Sequence, residues 1–235
     1  MPEEAPVEYG QFCPVAKAAE VLGERWTLLV VRELTQGATR YAQLQRGLGR
    51  ISPSVLSARL KTLVEHGVVE HVVGDSAQSM EYRLTPAGKE LLPIVEGLGV
   101  WGQRWVRSRM TRDELDVELL MLSVQRNFDA TAFPKSHGVV AFTFSDLHGE
   151  QRRWWLVFDA PRAEVCSIPP GGSDDVRMTC TLRTLAEIYT GDTTLGAAVD
   201  SGRLEIDGSP AVVRKAHRWL RVSPLAAVRA ATVQR

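Results

Sequence analysis

Along the first third of the chain, apolar positions recur at helical spacing and are interrupted at short intervals by proline or glycine. Val15, Ala18, Ala19 and Leu22 fall three or four apart, the register of a helix that buries one face. Pro14 suits its first turn, where the missing N–H would be unpaired anyway, and the helix should end near Gly23. Trp26 to Leu34 predicts a second apolar helix closed by Gly37, and Tyr41, Leu44 and Leu48 mark one side of a third. A fourth is capped by Ser52, takes Pro53 at its first position and ends where Gly67 accepts a left-handed turn.

The period then changes from helical to alternating. Val68 to Val73 is a β-branched run, Tyr82 and Leu84 alternate, and a Gly-Asp-Ser turn beginning at Gly74 lies between, which together predict a hairpin. Thr85 and Pro86 cap and start another helix. Its apolar stripe of Leu91, Ile94, Val95, Leu98, Trp101 and Trp105 is broader than packing on one small wing domain requires; a dimer interface would use it, and an ordinary core helix packed against the first helix is the alternative. Pro93 should kink it.

After Met110 the grammar changes again, which places a domain boundary near Thr111 and gives domains 1–110 and 111–235. Residues 113–128 read as a helix, and strand-like runs follow at 138–146, 152–160, 163–170 and 175–182. Their spacing leaves no room for helices between them, so they should pair antiparallel as a meander. Helices at 183–191 and 194–202, a strand at 203–208 and a final helix at 210–220 complete the pattern. The expected fold is a mainly-α winged helix-turn-helix followed by an α+β domain, an antiparallel sheet covered by helices.

Length and composition fit this division: 235 residues suffice for two ordinary domains, and 44% hydrophobic with 24% charged is a globular balance. The net charge is zero, which argues against indiscriminate coating of nucleic acid. Residues 10–110 nevertheless hold 13 Lys and Arg against 9 Asp and Glu, so the basic excess sits in the first half. No apolar run reaches the roughly 18 residues of a membrane span. The short acidic start MPEEAPVEYG is unlike a signal peptide, so a cytoplasmic location is expected. Cys13, Cys166 and Cys180 are odd in number and far apart, which fits reduced thiols rather than a disulfide framework.

The fourth helix carries the first candidate chemistry. At about 100° per residue, Leu56, Leu60, Leu63 and Val64 share one face, while Ser54, Ala58 and Lys61 lie nearly opposite with Ser57 and Thr62 on the flanks. A small, hydroxylated, basic face can enter a major groove and bond base edges and phosphates. Small polar residues also occur on any solvated helix, and Glu65 fits solvation better than DNA.

The stretch from the early Cys-Pro through Trp-Thr-Leu-Leu and Ile-Ser-Pro-Ser-Val-Leu-Ser to Tyr-Arg-Leu-Thr-Pro-Ala-Gly, within Tyr9 to Arg109, resembles the HxlR-type winged helix transcriptional regulators. The resemblance implies a homodimer bound to double-stranded DNA. It puts Arg40, Ser52, Ser54, Val55, Ser57, Ala58, Arg59, Lys61, Thr62 and Arg83 at the DNA. Family wings often carry Pro-Pro and a basic residue, whereas Gly74 to Met80 has neither, which leaves Arg83 at the wing base as the phosphate contact.

The ending, with Ser201 to Gly208 reading SGRLEIDG, resembles the sterol carrier protein type 2 domain. Such domains hold lipids or other apolar molecules between a sheet and its helices. By position, Trp155, Val157, Leu185, Tyr189, Leu195, Ala198, Val199 and Leu220 would line the site, although apolar residues at these spacings are core in most proteins. An apolar small-molecule or lipid effector is therefore one expectation; a second domain that only oligomerises is the other. Cys13, just before a helix N-terminus, is a candidate redox sensor, although Cys is also a comfortable buried residue.

No enzyme activity, metal or cofactor is expected. Asp146, His148 and His137 match no metal-ligand spacing, and the Pro-Pro-Gly-Gly-Ser-Asp-Asp segment from Pro169 lacks the Lys-Ser/Thr of a phosphate loop.

Overall fold

The computed structural model describes residues 9–74, 80–106, 111, 114–229 and 231. The chain divides into two compact units, one up to Gly99 and one from Val100.

In the first unit the local signals act as read. Helix α1 spans Pro14–Leu22 and stops at Gly23. Helix α2, Thr27–Thr35, starts after Trp26, which holds a left-handed φ of 80° and so turns the chain sharply between the two helices. Helix α3 is Tyr41–Leu48 and α4 is Pro53–Glu65. The Ser52 hydroxyl accepts from the Val55 amide at 3.4 Å and thereby caps α4. Gly67, at φ 67°, lets the chain leave α4. Strands β1 (Val69–Val73) and β2 (Met80–Leu84) pair antiparallel with Val69 opposite Leu84. The expected Gly-Asp-Ser turn and the composition of the wing tip concern residues 75–79, which lie outside the described residues.

Val30, Val31, Leu44, Leu56, Leu60, Leu63 and Val69 close the core of this unit, so one face each of α2, α3 and α4 is committed inward. Each such side chain contributes about 1.5–3 kcal/mol on burial. Its opposite face is thereby presented outward.

The helix expected from Pro86 is two helices, α5 (Pro86–Lys89) and α6 (Leu92–Trp101), followed by a π-type turn, Gly102–Val106. The break falls before Pro93 rather than as a kink at it. Proline lacks the N–H that would bond back to Lys89 and its ring crowds that carbonyl, so the helix restarts with Pro93 in its first turn.

In the second unit α7 (Val117–Asn127) is capped by the Asp116 carboxylate, which accepts from the Leu119 amide at 3.1 Å. Strands β3 (His137–Phe144), β4 (Arg153–Asp159), β5 (Arg162–Cys166), β6 (Val176–Cys180) and β7 (Leu204–Gly208) form one sheet in the order β5-β4-β3-β6-β7. The antiparallel meander holds only for β3 to β5. Strand β6 returns to the far side of β3 and pairs parallel with it, Val140 opposite Val176. Residues 167–175 bridge about three strand spacings and one strand length, roughly 22 Å, which nine residues can span without a helix.

Helices α8 (Leu182–Thr190) and α9 (Leu195–Asp200) follow β6, and β7 then adds antiparallel to it. The single helix expected at 210–220 is two short ones, α10 (Pro210–Val213) and α11 (Ala216–Trp219). The buried Trp219 indole donates to the Val212 carbonyl at 3.1 Å, the acceptor that the Ala216 amide would need in a continuous helix. Phe128, Phe133, Phe158 and Trp219 interlock between sheet and helices, with ring centroids 4.6 to 6.4 Å apart.

Candidate nucleic-acid interface

Helix α3, the Gly49–Ser52 turn and α4 form a helix-turn-helix with β1 and β2 as its wing. Two tyrosine hydroxyl contacts fix the angle between the helices. Tyr41 Oη donates to the Pro53 carbonyl at 2.8 Å and lies 3.3 Å from Ser57 Oγ. At the start of α3 the Gln43 side chain accepts from the amides of Thr39 and Arg40, both at 3.1 Å, which seats Arg40 at the corner.

With Leu56, Leu60 and Leu63 inward, α4 exposes Ser54, Ser57, Ala58 and Lys61, while Ser52 stands exposed just before it. Val55 and Thr62 are half-buried on the flanks. The Thr62 hydroxyl donates to the Ala58 carbonyl at 3.1 Å, and Ser52 and Ser54 share a 3.2 Å hydrogen bond. Lys61 reaches Glu65 at 3.8 Å, but both are well exposed, so the pair is weak and leaves the ammonium available. Arg59 is differently placed. Its guanidinium pairs with Glu24, and Nε donates to the Arg25 carbonyl at 3.2 Å, which ties α4 to the turn before α2.

Arg83 and Arg40 meet a carboxylate that sequence reasoning missed. Glu81 is 6% exposed and lies 3.0 Å from Arg83 Nη2 and 3.7 Å from Arg40 Nε. A buried carboxylate is costly unless paired, and here the pair holds the wing-base arginine and the α3 arginine beside one another. The sequence contained no signal for it, because Glu81 alternates with Tyr82 and Leu84 like any outward strand residue.

Of the eight residues expected to line an apolar site, five share the core of the second unit and three lie apart from it. Leu185, Ala198 and Leu220 are fully in the core, with Tyr189 and Leu195 packed against it. Trp154, Leu156 and Phe158 belong to that core, so by alternation Trp155 and Val157 lie on the other face of the sheet. Val199 is 41% exposed. A cavity of about 480 Å³ does lie against α8, with Thr181, Arg183, Thr184, Glu187, Arg203 and Glu205 placing polar and charged groups among its walls. Arg203 there donates to Glu187 and Thr193, at 2.8 and 2.9 Å.

Asp146 Oδ1 accepts from the Leu182 amide at 2.8 Å and so supports the start of α8. Cys13 sits half-buried at the start of α1, Cys166 is half-buried and Cys180 is buried; all three are free. Among the described residues no group of three metal-binding side chains assembles, and no helix is long and apolar enough to cross a membrane.

A winged helix-turn-helix unit followed by an α+β unit with helices on its sheet is the class this architecture defines. Comparison with known proteins agrees for both parts: residues 21–110 match the HxlR-like helix-turn-helix family and residues 122–221 match the SCP-2 sterol transfer family. The chain belongs to the HxlR-like helix-turn-helix family. It is 37% identical over 98 residues to the HTH-type transcriptional regulator YvaP of Bacillus subtilis, covering 41% of this chain and 91% of that one. It is 44% identical over 93 residues to an HTH-type transcriptional regulator of Mycobacterium tuberculosis, Rv3095, of which it spans 58% and which covers 39% of this chain. Among solved structures, the reduced form of the transcriptional regulator YodB from B. subtilis is 28% identical, with 40% of this chain and 93% of that one covered at a TM-score of 0.35.

Proposed function

We propose that the protein is a transcriptional regulator that binds an inverted repeat in double-stranded DNA as a homodimer. The observation that carries this reading is the outward face of α4: Ser54, Ser57, Ala58 and Lys61 are small or basic, exposed, and free of acidic side chains until Glu65 at the last turn. Ser57 and Ser54 suit base edges, while Lys61, Arg40 and Arg83 suit phosphates. Arg59 serves the same interface by positioning α4. The functional division falls near Thr111, between the two matched segments.

Dimerisation is supported by α6. No residue of this helix is buried, and Ile94, Leu98 and Trp101 recur four and three apart along one side, each about half exposed. A seam of that spacing packs against a second copy. A dimer carrying two α4 helices would place them on half-sites about 34 Å apart, or a multiple of it. Selection of bound sequences from a random DNA pool tests the reading: inverted half-sites support it, and sequence-independent binding removes α4 from the groove.

The second unit is proposed to hold an apolar effector, supported by the match to the SCP-2 sterol transfer family. The interlocked rings of Phe128, Phe133, Phe158 and Trp219 favour the other reading, in which the unit only oligomerises, because they occupy the space between sheet and helices. Organic extraction of purified protein with native mass spectrometry separates the two. Co-purifying lipid supports the effector; a ligand-free tetramer or larger assembly that dissociates on loss of residues 111–235 supports oligomerisation.

A further inference from the structure

A second cavity, of about 470 Å³, lies wholly within the first unit, between the end of α2, the hairpin and the α5–α6 junction. Its size is ordinary for a small-molecule site. Leu34, Tyr82, Leu84 and Leu92 supply apolar walls, with Thr35 and Thr39 at the α2 end. The Tyr82 amide donates to the Thr39 carbonyl at 2.8 Å, which docks β2 on the α2–α3 loop and fixes that wall. The groove is thus largely preformed rather than dependent on a disordered segment.

Its charges are unequal. Arg83, Lys89 and a single carboxylate, Glu70, line it, and Glu70 stands directly opposite Arg83 in the hairpin register. Arg83 already serves Glu81 at 3.0 Å. Lys89, exposed at the end of α5, has no carboxylate partner among the described residues. A neutral apolar guest would desolvate that ammonium without return, and a dianion would meet Glu70. A monoanion with an apolar body satisfies both.

We infer that this groove binds a small organic monocarboxylate, its carboxylate on Lys89 beside Arg83 and its apolar body on Leu34, Tyr82, Leu84 and Leu92. A regulatory consequence follows if the DNA-binding reading holds, and rests on it: Arg83 is shared between ligand and phosphate, so the carboxylate and DNA oppose one another. By linkage each weakens the other by the same factor.

The site itself is tested without DNA, on the full chain, with hydrocinnamate as probe and its neutral amide as control. Calorimetry should show hydrocinnamate binding at or below about 1 mM and the amide at least about tenfold weaker, the worth of one charge-assisted hydrogen bond. Lys89→Met should lose that tenfold and Lys89→Arg should retain it, while DNA affinity of the ligand-free variants stays at the wild-type value. Equal binding of acid and amide, an unaffected Lys89→Met, or no binding up to about 10 mM would each overturn the site. Wild-type protein that binds hydrocinnamate but no DNA sequence preferentially keeps the site and removes the regulator reading instead.

Discussion

Arg59 Nε donates to the Arg25 carbonyl at 3.2 Å, while Lys61, two residues further along α4, points into solvent. Two cations on one helix thus have different partners, and their substitutions should differ in kind. Lys61→Ala should weaken DNA binding and reduce the slope of log affinity against log salt by about 0.9 for each phosphate that is no longer neutralised. Arg59→Ala should weaken binding with little change of slope and lower the melting temperature, because it releases α4 from the α1–α2 turn. Fluorescence anisotropy titrations across a salt series read both. A slope change in Arg59→Ala equal to that in Lys61→Ala would place its guanidinium on the backbone of the DNA.

The seam on α6 makes a second prediction. Leu98 is 47% exposed in the single chain, so Leu98→Glu costs little within it but places a carboxylate at the centre of the proposed dimer interface. Sedimentation should show the wild type as a dimer and Leu98→Glu as a monomer with unchanged helical content. DNA affinity should fall steeply, since one α4 then holds one half-site. A dimeric Leu98→Glu would move the interface off this helix.

Much of the proposed DNA-facing surface was legible because its determinants are local. Ser52 and Pro53 start α4, Gly67 ends it, and the spacing of Leu56, Leu60 and Leu63 says which face is buried, so the outward residues follow. What was not legible depends on partners distant in sequence. Nothing near Glu81 announces that Arg40 will cover it, and nothing near Arg59 announces Glu24. Strand β6 reads as a strand from its own residues, but its parallel pairing with β3 is a choice among edges that period-two alternation does not make. Strand β4 is apolar on both faces, so alternation could not say whether Trp154 or Trp155 meets the helices. The break between α10 and α11 turns on one side-chain hydrogen bond, from Trp219 to Val212.

Asp175 gives a prediction in acid. Burial alone would raise its pKa, but hydrogen bonds from Lys135 and from the Val139 amide, the latter at 2.9 Å, together with the charges of Lys135 and His137, hold it below the ordinary value of 3.8. A carboxyl depressed in the folded state stabilises it above the unfolded value, and that contribution disappears as pH falls through the folded one. Asp175→Asn should therefore lower the melting temperature at neutral pH. It should also give a shallower loss of stability between about pH 5 and about pH 2 than the wild type shows. Parallel acid limbs for the two proteins would mean that this carboxylate is not coupled to folding.

The thiols give the opposite sign in base. Burial in the core, with the Asp146 carboxylate nearby, pushes the Cys180 thiol up to about 12 from an ordinary 9.0. The folded state therefore keeps a proton that the unfolded chain releases, so stability falls as pH rises above 9.0 and continues to fall towards about 12. Cys180→Ala removes this dependence while leaving a small cavity. The stability advantage of wild type over Cys180→Ala, from urea midpoints, should shrink by about 1 kcal/mol between about pH 8 and about pH 10. Maleimide labelling checks the same environment directly: Cys13 and Cys166, both half-buried, should label in the native protein, and Cys180 only after unfolding. The comparison also bears on thiol sensing, because a Cys13 that labels no faster than Cys166 lacks the reactivity a sensor requires.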